Sequence, residues 1–100
     1  MPIKVSVGKY EYESTNKNHA EEVMFSVPRH QSGDLTVSMN GWPCTGERHH
    51  NCHDLFIKQS AGRTITVVVD NDHAGYSANH GRKVNPTGTI VYNRGTVQYN

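Results

Sequence analysis

The segment CHDLFIKQSAGRTITVVV (residues 52–69) decides the fold, because it predicts a short helix followed directly by a buried strand. The helical part buries Leu55 and Phe56 and stops at Gly62, since glycine commonly follows the last turn of a helix. The strand part, TITVVV, is the most apolar in the chain, and such strands are central in a sheet. The segment therefore predicts a sheet with a helix packed on it.

The flanking segments predict more strands and a second helix. Apolar residues at i, i+3, i+4 and i+7 predict an amphipathic helix from Ala20, which Pro28 would end. Alternation predicts a hairpin with its turn at Gly8-Lys9 and a strand over residues 35–39. It also predicts two strands over residues 88–100, separated by a turn or bulge at Asn93-Arg94-Gly95. The predicted order, β-β-α-β-α-β plus one or two strands, implies a single α/β domain over residues 1–100, with one mixed sheet and helices packed on it.

The composition narrows the range of functions. The net charge is only +1 at pH 7, with no long basic run, which disfavours a strongly electrostatic nucleic-acid binder. The mean hydropathy is −0.71, so we expect no membrane-spanning segment. The chain begins without the apolar stretch of a secretory signal, so a larger parent polypeptide would have to direct any export.

The two predicted helices begin with the same pattern. An asparagine precedes each first residue and an acidic residue follows at the third helical position: Asn18, His19 and Glu21 in one helix, Asn51, Cys52 and Asp54 in the other. Asparagine is a favoured N-cap, and an acidic third residue can complete a capping box. Each helix start, taken alone, is therefore explained by capping.

The two helix starts taken together also predict a metal site. A cysteine in the first turn of a helix is biased towards the thiolate, the form that binds metal. Adjacent helices can bring His19 and Cys52 together, and Cys44 can reach the same point from the end of the preceding strand. Two thiolates and one imidazole leave a tetrahedral Zn²⁺ an open position for water. Glu21, two residues after His19, can face that water without binding the metal.

These residues resemble the signature of the cytidine deaminase-like superfamily. His19-Ala20-Glu21 is similar to its His-x-Glu motif, and Pro43-Cys44 followed by Cys52 is similar to its Pro-Cys-x-x-Cys motif. The likeness covers about residues 3–92 and implies that fold, with zinc held between two helix starts. Within the superfamily, the short chain most resembles the C-terminal deaminase domains of bacterial polymorphic toxins.

The cysteine spacing departs from the family pattern. Seven residues separate Cys44 from Cys52 here, against two in the motif. His49, His50 or His53 therefore stays an alternative to Cys52 as the ligand. A disulfide bridge between the two cysteines is the simplest structural alternative.

The resemblance implies zinc-dependent hydrolytic deamination of cytosine to uracil in nucleic acid, with Glu21 carrying the proton. Single-stranded DNA is favoured over RNA as the substrate, and a free nucleotide or adenine stays open. In the implied substrate complex, the Trp42 carbonyl accepts a hydrogen bond from the amino group of the base, and the side chains of Trp42 and Tyr76 stack on bases. Asn16 would contact a sugar, and Arg48 and His50 would contact phosphates. A toxin domain of this kind is expected to be monomeric, to reach the target-cell cytoplasm through a secreted parent, and to be paired with an immunity protein.

Two other classes compete with the deaminase interpretation. ERHHNCH (residues 47–53) resembles the His-Asn-His core of metal-dependent nucleases, in which a β-hairpin precedes a helix. That alternative leaves His19-Ala20-Glu21 unexplained. The second alternative is a non-enzymatic zinc-binding or disulfide-bridged module. It predicts a closed four-ligand site or none, and it predicts that replacing Glu21 has no effect beyond the loss of a helix cap, which costs ~1 kcal/mol of stability.

Overall fold

The computed structural model describes residues 4–15, 17–40, 51–69 and 88–99. These residues form β1 (Lys4–Val7), β2 (Tyr10–Glu13), α1 (Ala20–Phe25), a 3₁₀ helix (Pro28–His30), β3 (Leu35–Met39), α2 (Cys52–Gln59), β4 (Thr64–Val69), β5 (Thr89–Asn93) and β6 (Thr96–Tyr99). The predicted element order and the α/β class are confirmed. Neither helix in the described ranges has the length and apolar character needed to cross a membrane.

The strands form one mixed sheet in the order β2-β1-β3-β4-β5-β6. Strands β3 and β4 pair in parallel, and the other neighbouring strands pair antiparallel. The prediction that TITVVV is central is confirmed, because β4 lies between β3 and β5. Since α2 connects the parallel strands, it must run back from the carboxyl end of β3 to the amino end of β4.

Both hairpins turn where the sequence predicts, and positive φ angles explain the residues used. Gly8 begins the β1–β2 turn at φ 58°, as a two-residue turn with glycine first requires. Arg94 and Gly95 join β5 to β6 with φ values of 50° and 85°. Two successive positive φ angles characterise the type I′ turn, which matches the twist of the paired strands.

The core lies between one face of the sheet and the two helices. Helix α1 packs against β1 and β2, α2 packs against β5, and the helices touch each other. Phe56 joins these layers, because its ring meets Phe25 edge-on at 5.4 Å and stacks on Tyr92 at 5.1 Å. Such aromatic pairs contribute about 0.5–1.5 kcal/mol beyond their burial. They fix how closely the two helices approach.

Arg63, a buried arginine, holds the carboxyl end of α2 in place through hydrogen bonds. The Arg63 guanidinium donates to the carbonyls of Gln59 at 2.7 Å, His30 at 3.0 Å and Gly33 at 3.1 Å. These bonds satisfy carbonyls from three separate segments, and an unpaired buried carbonyl would be costly. The far end of α2 is thereby tied to the 3₁₀ helix and the loop before β3.

Candidate active site

The structure brings together two residues that stand 33 positions apart in the chain. His19 lies directly before α1, Cys52 is the first residue of α2, and His19 Nδ1 lies 3.2 Å from Cys52 Sγ. The sulfur is buried, since Cys52 is 1 % exposed. A thiol and an imidazole in contact at two helix starts form a nitrogen–sulfur donor pair.

The predicted capping of α1 by Asn18 and Glu21 is wrong by one residue. His19 is the N-cap, and its backbone N–H donates to Glu22 Oε1 at 2.7 Å. Asn18 is held in the preceding turn instead, where its N–H donates to Thr15 Oγ1 at 3.0 Å and its carbonyl accepts from Thr15 N–H at 2.8 Å. That turn delays the helix, so capping does not explain Glu21.

Glu21 is buried beside the His19–Cys52 pair. It is 2 % exposed, and its Oε1 has no hydrogen-bond partner within the described residues. Burial raises the pKa of the Glu21 carboxyl above its ordinary 4.5, while a backbone hydrogen bond, the Cys52 side chain and the charge of His19 partly oppose the rise. A carboxyl in this setting can hold a proton at a pH where an exposed one would have released it.

The start of α2 is capped as the sequence predicts. Asn51 Oδ1 accepts from the Asp54 N–H at 2.8 Å, and Asp54 forms an ion pair with Lys58 at 3.1 Å one turn later. The unpaired N–H groups of a helix start carry partial positive charge, and Cys52 is the first residue of α2. The capped helix start therefore suits a cysteine that binds metal.

Sequence analysis did not identify Tyr92, a buried tyrosine in contact with the start of α2. Tyr92 is fully buried, and its hydroxyl oxygen lies 2.7 Å from His53 Nδ1. Burial raises the pKa of Tyr92 far above its ordinary 10.0, with further contributions from Tyr99, Glu21 and Cys52, so the hydroxyl keeps its proton. Its inward position on β5 follows from strand alternation, but its contact with His53 spans 39 residues and carries no local signal.

The donors in the described residues suit zinc but do not complete a site. Histidine nitrogen and cysteine sulfur are the ligands that Zn²⁺ prefers, and His19 and Cys52 present one of each in contact. The unpartnered carboxylate oxygen of Glu21 suits a polar or charged group placed beside that pair. No group of three or more potential ligands occurs within residues 4–15, 17–40, 51–69 and 88–99. A further ligand would have to come from elsewhere in the chain.

The remaining predicted site residues lie outside the described residues. They are Asn16, Trp42, Cys44, Arg48, His50 and Tyr76. Of the histidines that could replace Cys52 as a ligand, the structure describes His53, whose Nδ1 faces the Tyr92 hydroxyl. His19, Glu21 and Cys52 are thus the predicted residues that the structure brings together.

Comparison with protein-family models, curated proteins and solved structures found no match for this chain. No relative therefore assigns a role to His19, Glu21 or Cys52.

Proposed function

We propose that the protein is a zinc-dependent deaminase that converts cytosine to uracil in nucleic acid, with single-stranded DNA as the favoured substrate. The observation that carries the proposal is the buried Glu21 carboxyl, unpartnered at Oε1 within the described residues and set beside the His19–Cys52 pair. Burying a carboxylate oxygen without a hydrogen-bond partner costs stability, and such costs concentrate at functional sites.

In this proposal His19, Cys52 and Cys44 hold the metal. The first two are already in contact, and Cys44 follows the end of β3 by five residues in the sequence. When bound, Zn²⁺ supplies Lewis acidity, which lowers the pKa of water towards neutrality. Burial of Cys52 excludes competing solvent from the sulfur.

Glu21 moves the protons of the reaction. It takes one proton from the attacking water, passes it to the ring nitrogen, and delivers another to the departing amino group. Water adds at C4 of cytosine, the bond to the amino group breaks, ammonia leaves, and uracil remains. Burial raises the pKa of the Glu21 carboxyl, so the group holds a proton more readily than an exposed glutamate, as a proton carrier requires.

The proposed substrate is a short stretch of unstacked nucleic acid. A net charge of +1 suits few phosphate contacts, and a base in a single strand reaches a pocket without the cost of unpairing. Trp42 and Tyr76 would stack on bases, Arg48 and His50 would meet phosphates, and Asn16 would contact a sugar. As a bacterial toxin domain, the protein would act as a monomer in the target cell and be held inactive in its producer by an immunity protein.

The two competing functions have less support from the described residues. The nuclease interpretation gives no role to Glu21, which lies buried beside the His19–Cys52 pair. A closed structural zinc site has no use for a buried carboxylate beside its ligands, and Glu22 rather than Glu21 caps α1.

Two adjacent glutamates provide a matched test. The purified protein, Glu21→Gln and Glu22→Gln would each be incubated with single-stranded DNA and RNA oligonucleotides, and base identity would be determined by mass spectrometry. We expect cytosine to become uracil with the unchanged protein and with Glu22→Gln. With Glu21→Gln we expect turnover to fall by about 10²–10⁴, the usual contribution of a positioned acid–base group.

Either of two results would reject the proposal. Normal turnover by Glu21→Gln would show that Glu21 does not carry the protons of the reaction. Strand cleavage that persists in both variants, without base conversion, would favour the nuclease.

A further inference from the structure

Tyr92 contacts the first two turns of α2 at two points. Its hydroxyl oxygen lies 2.7 Å from His53 Nδ1, and its ring stacks on Phe56 at 5.1 Å with an interplanar angle of 19°. His53 also stacks against Tyr99 on β6 at 6.5 Å. Strands β5 and β6 thus hold a histidine that immediately follows Cys52.

These contacts restrain the part of a helix that otherwise frays first. His53 and Phe56 are three residues apart and lie on the same side of α2, so one tyrosine fixes both the rotation and the height of the helix start. Cys52 Sγ lies 3.2 Å from His19 Nδ1, a separation that a small rotation of α2 would change. The restraint on His53 therefore acts on the position of the sulfur.

We propose that Tyr92 is a positioning residue that acts through His53 to hold Cys52 against His19. The expected effect of Tyr92 on zinc binding rests on the proposed function. Its effect on the position of Cys52 does not. The hydroxyl is the part that matters in this proposal, because a phenylalanine would keep the ring packing on Phe56.

The chain contains a matched control for this contact. The Tyr12 hydroxyl lies 2.7 Å from His30 Nε2, so the same two side chains meet at the same separation. Tyr12 belongs to the edge strand β2, whereas Tyr92 lies near the opposite edge of the sheet. Tyr12→Phe removes a comparable bond that makes no contact with the start of α2, and it measures the effect of lost stability.

The primary measurement is the alkylation rate of Cys52 in the metal-free protein, with iodoacetamide as the probe. Because Cys52 is 1 % exposed, the reagent reaches it only when the helix start opens. Trypsin cleaves after Arg48 and Lys58, so Cys52 and Cys44 fall on separate peptides and are quantified independently by mass spectrometry. We expect Tyr92→Phe to react about tenfold faster at Cys52 than the unchanged protein, the effect of losing one buried hydrogen bond.

A double substitution tests whether the effect passes through His53. If Tyr92 acts through that ring, Tyr92→Phe combined with His53→Phe should react no faster than the faster single variant, because residues that share one bond are not additive. Equal acceleration by Tyr12→Phe and Tyr92→Phe would overturn the proposal, and so would an unchanged rate in Tyr92→Phe.

Zinc affinity separates this proposal from the proposed function. We expect Tyr92→Phe to bind zinc about tenfold more weakly, in line with other residues that orient metal ligands, while Tyr12→Phe binds it normally. Absence of zinc binding in the unchanged protein would reject the metal site, and the alkylation result would still decide the role of Tyr92.

Discussion

Replacing Glu21 with glutamine should stabilise the metal-free protein at neutral pH, although the same change lowers turnover. The Glu21 side chain is 2 % exposed and its Oε1 lacks a partner within the described residues, so the loss of water outweighs the hydrogen bonds that the ionised form keeps. Glutamine keeps the shape and removes the charge. We expect the free energy of unfolding to rise by about 1–2 kcal/mol. For a domain of this size, each kcal/mol raises Tm by about 4–8 °C.

The stabilisation by Glu21→Gln should depend on pH in a direction set by burial. Burial raises the pKa of Glu21 above 4.5 in the folded state. Well below that value the carboxyl is protonated in both states and its ionisation costs nothing. As the pH rises, the unfolded chain releases its proton first, so the unchanged protein loses stability until the pH passes the folded-state pKa. The difference in Tm should therefore grow above pH 4.5 and then level off.

The neighbouring glutamate should show the opposite sign. Glu22 Oε1 accepts from His19 N–H at 2.7 Å, so Glu22→Gln weakens a charge-assisted cap and should cost about 0.5–1 kcal/mol. Circular dichroism melts in the presence of a chelator would compare the three proteins across pH. A Glu21→Gln variant that is less stable than the unchanged protein at neutral pH would show that the carboxylate is well partnered, and would refute the reasoning.

Three further outcomes are expected. Burial and the neighbouring arginines lower the pKa of His30 in the folded protein. The folded protein should therefore keep its full stability above about pH 6.5 and lose stability as the pH drops below that value. Thermal melts of His30→Gln should show a smaller loss over the same pH range. Arg63→Met should cost about 2–3 kcal/mol in urea unfolding, because it leaves several carbonyls without a donor. Asn51→Ala should lower the free energy of unfolding by about 1 kcal/mol in the same assay, because it removes the hydrogen bond from Asp54 N–H. An unchanged urea midpoint would show that this cap does not stabilise the protein.

Local signals in the sequence predicted most of the fold. Strand alternation, the apolar run at residues 64–69 and the turn residues at Gly8 and Gly95 depend on neighbours in the chain, and the structure places them as expected. The Asn51 cap was predictable for the same reason. Each of these features is determined within a few residues.

One competing local turn and one contact between distant segments account for what sequence reasoning missed. The turn from Thr15 to Asn18 moves the start of α1 by one residue, which transfers the cap to Glu22 and leaves Glu21 for burial. Likewise, alternation places Tyr92 inward but does not say that its hydroxyl meets a ring on α2. Glu21 is where a local rule fails, and such failures are expected at functional sites.

The central claim is that His19 and Cys52 hold a metal ion beside Glu21, and native mass spectrometry of zinc-loaded protein tests it most directly. We predict that the unchanged protein retains zinc, that His19→Gln and Cys52→Ser lose it, and that His30→Gln, which alters a buried histidine in the contact with Tyr12, retains it. Zinc that persists in both His19→Gln and Cys52→Ser, or that disappears only with His50→Ala, would contradict the claim.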